Sequence, residues 1–126
     1  MNSPFLILGA LNGFIAVVLG AFAAHGLKNA LTPDLLNTFQ TGVQYHMYHA
    51  LIMFGVGLLA LHFPGNTLLR VSGYLFLLGI VIFSGSLYAL SLSGIRWLGA
   101  ITPIGGVMFL AGWGVLAWSM ISARSS

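Results

Sequence analysis

The sequence predicts an all-α membrane protein: four transmembrane helices in one antiparallel bundle, with a short amphipathic interfacial helix between spans one and two. Two observations carry this prediction. Only five of 126 residues bear a formal charge: Lys28, Asp34, Arg70, Arg96 and Arg124. Between them run four apolar stretches, each close to the roughly 20 residues that a helix needs to cross a bilayer. The apolar fraction is 59% and the mean hydropathy +1.02, whereas soluble domains run at roughly 45–50% apolar and about 25% charged. Four spans fill the chain, so residues 1–126 read as a single domain. The net charge of +3 reflects a scarcity of acids and is too thin for a nucleic-acid surface. There is no cysteine, which excludes disulfides, zinc thiolate sites and thiol nucleophiles.

Span one covers about 4–25. No Lys or Arg precedes it, so it reads as a span and not as a cleaved signal segment, despite the small residues flanking Phe22. A polar connection follows over 26–40. Within it Thr32-Pro33-Asp34 reads as a helix start: a hydroxyl cap, Pro at the first helical position and an acid in the first turn. Leu35, Leu36 and Phe39, interleaved with Asn37, Thr38 and Gln40, predict the amphipathic helix, which lies along the membrane surface and runs into span two. Span two covers about 41–62, and Phe63-Pro64-Gly65-Asn66 is a turn. Span three covers 69–92, Ser93-Gly94 turns the chain, and Arg96-Trp97 opens span four at 97–121. Trp97 and Trp118 lie 21 residues apart. That is about 31 Å along a helix, matching the spacing of the two membrane interfaces where Trp collects. Thr102-Pro103-Ile104-Gly105-Gly106 should weaken the ladder inside span four, as a kink or as freed carbonyls lining a small cavity. Orientation is a tie: Arg70 and Arg124 lie on one side, Lys28 and Arg96 on the other.

Small residues repeat along three spans. Span one carries Gly9, Gly13, Ala16 and Gly20. Ser72, Gly79, Ser86 and Ser93 recur every seven residues in span three, as do Gly105, Gly112 and Ser119 in span four. In lipid no hydrophobic force draws helices together, so such seams are expected to face the bundle interior. The alternative is a homodimer contact through Gly9-x-x-x-Gly13.

The topology gathers polar residues at one membrane face: His25, Lys28, Asn29, Asp34, Gln40, Gln44, Tyr45, His46, Tyr48, His49, Arg96 and Thr102. Polar groups at membrane depth are costly and usually line an interior or a cavity. The site expected there is built from His25, Gln44, Tyr45, His46, His49, Arg96 and Thr102. His46 and His49 share a helix face. Three uses stay open for them: hydrogen bonds that fix helix packing, a metal or haem held with His25 as a third ligand, or a proton or lipid-headgroup role. Arg96 beside Trp97 reads as a snorkelling anchor, or as a partner for an anionic headgroup or a quinone oxygen. No catalytic constellation stands out, and neither internal repeats nor intramembrane charges suggest a transporter. The expected function is a non-enzymatic module binding a lipid, a quinone-like molecule or a membrane protein partner. A histidine-based metal or haem redox accessory is the alternative, with a small channel or transporter behind both.

Three stretches carry a resemblance: Gly20-Ala21-Phe22-Ala23-Ala24-His25-Gly26-Leu27, Phe39 to Ala50 with Gln44-Tyr45-His46-Met47-Tyr48-His49, and Leu98 to Gly106 followed by Gly112-Trp113. Together they resemble the YgdD-like inner-membrane proteins, domain-of-unknown-function family 423. Ala23 departs from the glycine expected in that family. The resemblance implies a four-span, multi-pass protein of the bacterial inner membrane and supplies no activity.

Overall fold

The computed structural model of the chain describes residues 3–125, with side chains as far as 123. Arg124, counted above for orientation, therefore has its side chain outside the described residues. Helix α1 runs over Phe5–His25 and α2 over Pro33–His62. Helix α3 (Thr67–Gly79), a π turn (Ile80–Ser84) and α4 (Gly85–Ser93) form one continuous rod. A 3-10 turn (Arg96–Ala100) leads into α5 (Thr102–Ser125). No strand occurs among the described residues.

Three rods are long and apolar enough to cross a membrane: Phe5–His25, Thr67–Ser93 and Arg96–Ala123. At 30 residues α2 is the longest helix, but Gln40, Gln44, Tyr45, His46, Tyr48 and His49 lower the hydropathy of its first half, and it is not one of the three.

Local chemistry sets the helix ends. Thr32 Oγ1 accepts from the Leu35 amide at 3.3 Å, and Pro33 fills the first helical position. Asn66 Oδ1 accepts from the Leu69 amide at 3.2 Å to cap α3. The turns before α3 and after α4 use Gly65 and Gly94 at φ +78° and +74°, a backbone region that costs a side chain dearly.

Two expectations change. The amphipathic helix runs into span two with no boundary between them: residues 35–40 are the opening turns of α2. Nothing between Thr32 and the start of the apolar run breaks the ladder, and Gly42 lies inside it. Nor does Pro103 kink a long span four. It lies in the first turn of α5, where its missing N–H is no loss, and the irregular backbone precedes it as the 3-10 turn.

Packing follows the glycines. Helices α1 and α2 run antiparallel with Leu6 over Gly57, Phe54 over Gly9 and Val43 beside Gly20, so each step up one is matched by an equal step down the other. A Cβ on Gly9 would sit 2.6 Å from the Phe54 nitrogen, and one on Gly57 2.7 Å from the Leu6 nitrogen. The rod α3–α4 meets α5 the same way: Phe76 over Gly112, Phe109 over Gly79 and Phe83 over Gly105, with the hydroxyls of Ser86 and Thr102 2.6 Å apart in the same register. The rings of Phe76 and Phe109 fill the holes left by Gly112 and Gly79, and at Gly105 the Phe83 backbone itself comes close. Close dispersion contact of this kind is the main attraction available between helices in lipid. The seam residues Gly9, Ala16, Ser72, Gly79, Ser86, Gly105, Gly112 and Ser119 are buried as expected. Gly13 is the exception, with open space where its Cβ would be, and Ser93 is exposed.

The outer faces of α1 and α5 are apolar and exposed, with Phe14 at 69% and Leu110 at 74%. Such faces suit a surrounding of hydrocarbon.

Gly105→Ala would set a methyl group against the Phe83 backbone, which cannot swing aside. It is expected to lower unfolding free energy in detergent by about 1–3 kcal/mol. Gly13→Ala, opening onto free space, is expected to stay within about 0.5 kcal/mol of the parent in the same denaturation series.

Candidate functional site

The residues expected to form one polar site separate into three neighbourhoods. The first is an interior hydrogen-bond chain centred on His46, which is only 4% exposed. Asn12 of α1 donates through Nδ2 to the Leu8 carbonyl at 2.8 Å, which turns its Oδ1 toward His46 at 2.9 Å. An amide oxygen only accepts, so His46 Nε2 carries the proton. On the other side of the ring Nδ1 lies 2.8 Å from the Tyr88 hydroxyl of α4, which donates to it. One imidazole thus joins α1, α2 and α4. Tyr88 reaches this position because Gly42 leaves room for its ring: a Cβ there would lie 2.8 Å from Tyr88 Cε1. Ser84 of the π turn donates to the Gly42 carbonyl at 2.7 Å, tying the same two rods one turn away.

The second neighbourhood surrounds His49, also 4% exposed. Its Nδ1 donates to the Tyr45 carbonyl at 2.7 Å, and its Nε2 accepts from the Trp113 indole N–H of α5 at 3.1 Å. Indole is a donor only, so His49 is the Nδ1–H tautomer, opposite to His46 three residues away. Phe109 stacks on the His49 ring at 3.6 Å and 6°. Tyr45 lies 6.3 Å from His49 and 6.5 Å from Phe109, within 17° of parallel to both. A ring equidistant from the two members of a stack stands beside it, so the three rings form a stepped, nearly parallel platform. This platform borders a cavity of about 620 Å³ between α2 and α5, opening sideways past Leu51 and Leu110, with Phe83 and Gly106 on its wall.

The third neighbourhood is the polar end. His25 is exposed, with Nδ1 bonded to the Ala21 carbonyl at 2.9 Å. Arg96 and Asp34 approach to 3.9 Å with both side chains more than three-quarters exposed, an ion pair of small energetic weight that links the start of α2 to the 3-10 turn. Gln44 donates to the Tyr48 hydroxyl at 2.8 Å on the outside of α2, and Thr102 is engaged with Ser86 between α4 and α5.

His25, His46 and His49 are therefore not brought together as a ligand set. Among the described residues no three His, Asp or Glu side chains are placed to hold a metal ion, and both nitrogens of His46 and of His49 are engaged in hydrogen bonds. The reading of these histidines as helix-packing groups fits this geometry. The sequence reasoning missed Asn12, Tyr88 and Trp113. Asn12 is a lone amide inside an apolar span, and Trp113 lies between the interfacial Trp97 and Trp118. A polar hydrogen at that depth needs a partner, and that was the available signal.

The sequence profile described as "Protein of unknown function (DUF423)" matches residues 19–106. The chain belongs to this family. It is 53% identical over 109 residues to the UPF0382 membrane protein YwdK of Bacillus subtilis (strain 168), covering 86% of this chain and 89% of the relative. It is 50% identical over 111 residues to the UPF0382 membrane protein SSP2132 of Staphylococcus saprophyticus, covering 86% and 89%. Against a UPF0382 membrane protein of Haemophilus influenzae it is 44% identical over 125 residues, covering 99% of each chain. No solved structure matches significantly. With relatives named as membrane proteins and three helices fit to span, the chain is a multi-pass membrane protein.

Replacing His46 by Ala leaves Asn12 and Tyr88 without their interhelical partner and opens a void among three helices. The expected loss is about 2–3 kcal/mol. Tyr88→Phe, which removes one hydroxyl and no packing, should cost roughly 1 kcal/mol. A double-mutant cycle between Asn12→Ala and Tyr88→Phe by reversible denaturation should show coupling through His46.

Proposed function

We propose that this chain is a non-enzymatic module of the bacterial inner membrane, with its four rods standing as one antiparallel bundle, and that it holds a membrane-dissolved amphiphile in the groove between α2 and α5. The four-span arrangement is supported by the way α2 disposes its polar groups. His46 and His49 are turned inward and hydrogen-bonded, while Leu51, Leu58 and Leu61 stand on the outside. A helix of modest average hydropathy can cross lipid if its polar atoms are satisfied internally.

The observation that carries the binding reading is the groove itself. Its volume of about 620 Å³ falls within the roughly 300–1,000 Å³ of small-molecule sites. It is walled by aromatic rings and opens toward the surrounding lipid, so a molecule dissolved in the bilayer enters without crossing water. The polar end at Arg96 and His25 lies away from it and serves as the interfacial anchor. On this reading Tyr45 and His49 carry the binding, and His25, Arg96 and Thr102 do not.

His49→Ala is a poor probe, because it empties a core position. Gly106 is a better one: a Cβ there meets only Phe83 Cδ2, at 4.0 Å, so a larger residue projects into the groove without touching the backbone. Native mass spectrometry of the protein released from its own membrane should show a bound lipid or quinone-class mass, reduced several-fold in Gly106→Leu at an unchanged melting temperature. A bare protein, or an adduct retained equally by the variant, contradicts the reading.

A further inference from the structure

Resting on that reading, we propose that the occupant of the groove is a prenylated quinone: a flat ring bearing carbonyl acceptors, joined to an isoprenoid tail. Depth argues first. The groove is lined by residues 45–51 of α2 and 106–113 of α5, which fall within spans two and four and so inside a roughly 30 Å hydrocarbon layer. The polar part of a phospholipid stays at the surface. A ligand that presents polar atoms at this depth must carry them on an otherwise apolar body.

Charge argues next. No basic side chain lines the groove among the described residues, so a phosphate would find no counter-ion there. Lys28, Arg70 and Arg96 lie in the turns or at the helix ends. Shape and hydrogen bonding then narrow the class. Tyr45, Phe109 and Trp113 put aromatic rings on the groove wall, against which a planar ring stacks better than a flexible acyl chain does. The Tyr45 hydroxyl, on a side chain 37% exposed, makes no hydrogen bond to a described residue and is free to donate to a carbonyl. The opening past Leu51 and Leu110 leads outward to lipid, where the tail would lie.

The test uses the indole at the platform as reporter. In a Trp97→Phe/Trp118→Phe background, Trp113 is the single tryptophan. Ubiquinone and menaquinone analogues with two isoprene units are titrated into the purified protein in detergent, with farnesol as a tail without a ring. Saturable quenching of Trp113 by one of the quinones is expected. Its apparent Kd should weaken about 3- to 10-fold in Tyr45→Phe, as for a lost neutral hydrogen bond. Saturation should disappear in Gly106→Leu, and farnesol should compete far less well. Non-saturating quenching that persists in Gly106→Leu, or farnesol competing as well as the quinones, overturns the proposal. If neither quinone saturates while a native adduct is still lost in Gly106→Leu, the groove binds another amphiphile and only the quinone assignment falls. If Gly106→Leu keeps every native adduct, the groove reading falls with it.

Discussion

The imidazole of His46 sits where α1, α2 and α4 converge, and the interior is arranged around satisfying it. In water an exposed histidine has its hydrogen bonds met by solvent. Inside this protein it takes one partner from each neighbouring rod, Asn12 and Tyr88. Each bond is worth little in lipid, on the order of 0.6–1.7 kcal/mol. Its cost if left unmade is larger, because a bare polar nitrogen in hydrocarbon finds no substitute. The chain is thus tuned so that only one rotation of α2 leaves no polar side-chain atom stranded, and no buried side-chain nitrogen or oxygen lacks a partner among the described residues.

That rotation has a consequence a short step around α2. Fixing His46 toward α1 and α4 carries His49, three residues on, toward α5. There the indole of Trp113 meets it. Helix α5 takes its position from the rod α3–α4, through phenyl rings set over Gly79 and Gly112 and the close approach of the Phe83 backbone to Gly105. Helices α2 and α5 therefore flank the same rod and are bridged by side chains, and the aromatic groove is the space left between them. The π turn at Ile80–Ser84 serves both sides, with Phe83 against α5 and Ser84 against α2.

Much of this architecture is legible in the sequence because lipid imposes few solutions. Apolar runs give the spans, Thr32-Pro33 and Gly94 mark ends, and the sevenfold recurrence of Gly and Ser identifies the faces of α3, α4 and α5 that meet. The absence of a boundary within α2 was not legible, because amphipathic turns at a membrane surface and amphipathic turns of a longer helix share one pattern. Pro103 was misplaced because a proline starts a helix and kinks one equally well, and only the 3-10 turn before it decides. The polar cluster was legible as a set of residues sharing one end of the chain topology. Its division was not, because helical rise spreads residues 44–49 and 96–102 to different depths and azimuths. Asn12 and Trp113 completed the hydrogen bonding from other helices, where a lone polar group signals that it needs a partner and not which one.

The central claim is that two histidines three residues apart are held as opposite neutral tautomers by different helices. Nitrogen-15 NMR of imidazole-labelled protein in lipid reads this directly. The structure requires a proton on Nε2 of His46 and on Nδ1 of His49, each static and hydrogen-bonded. The same tautomer at both sites, a charged imidazole at either, or rapid averaging between forms would contradict it.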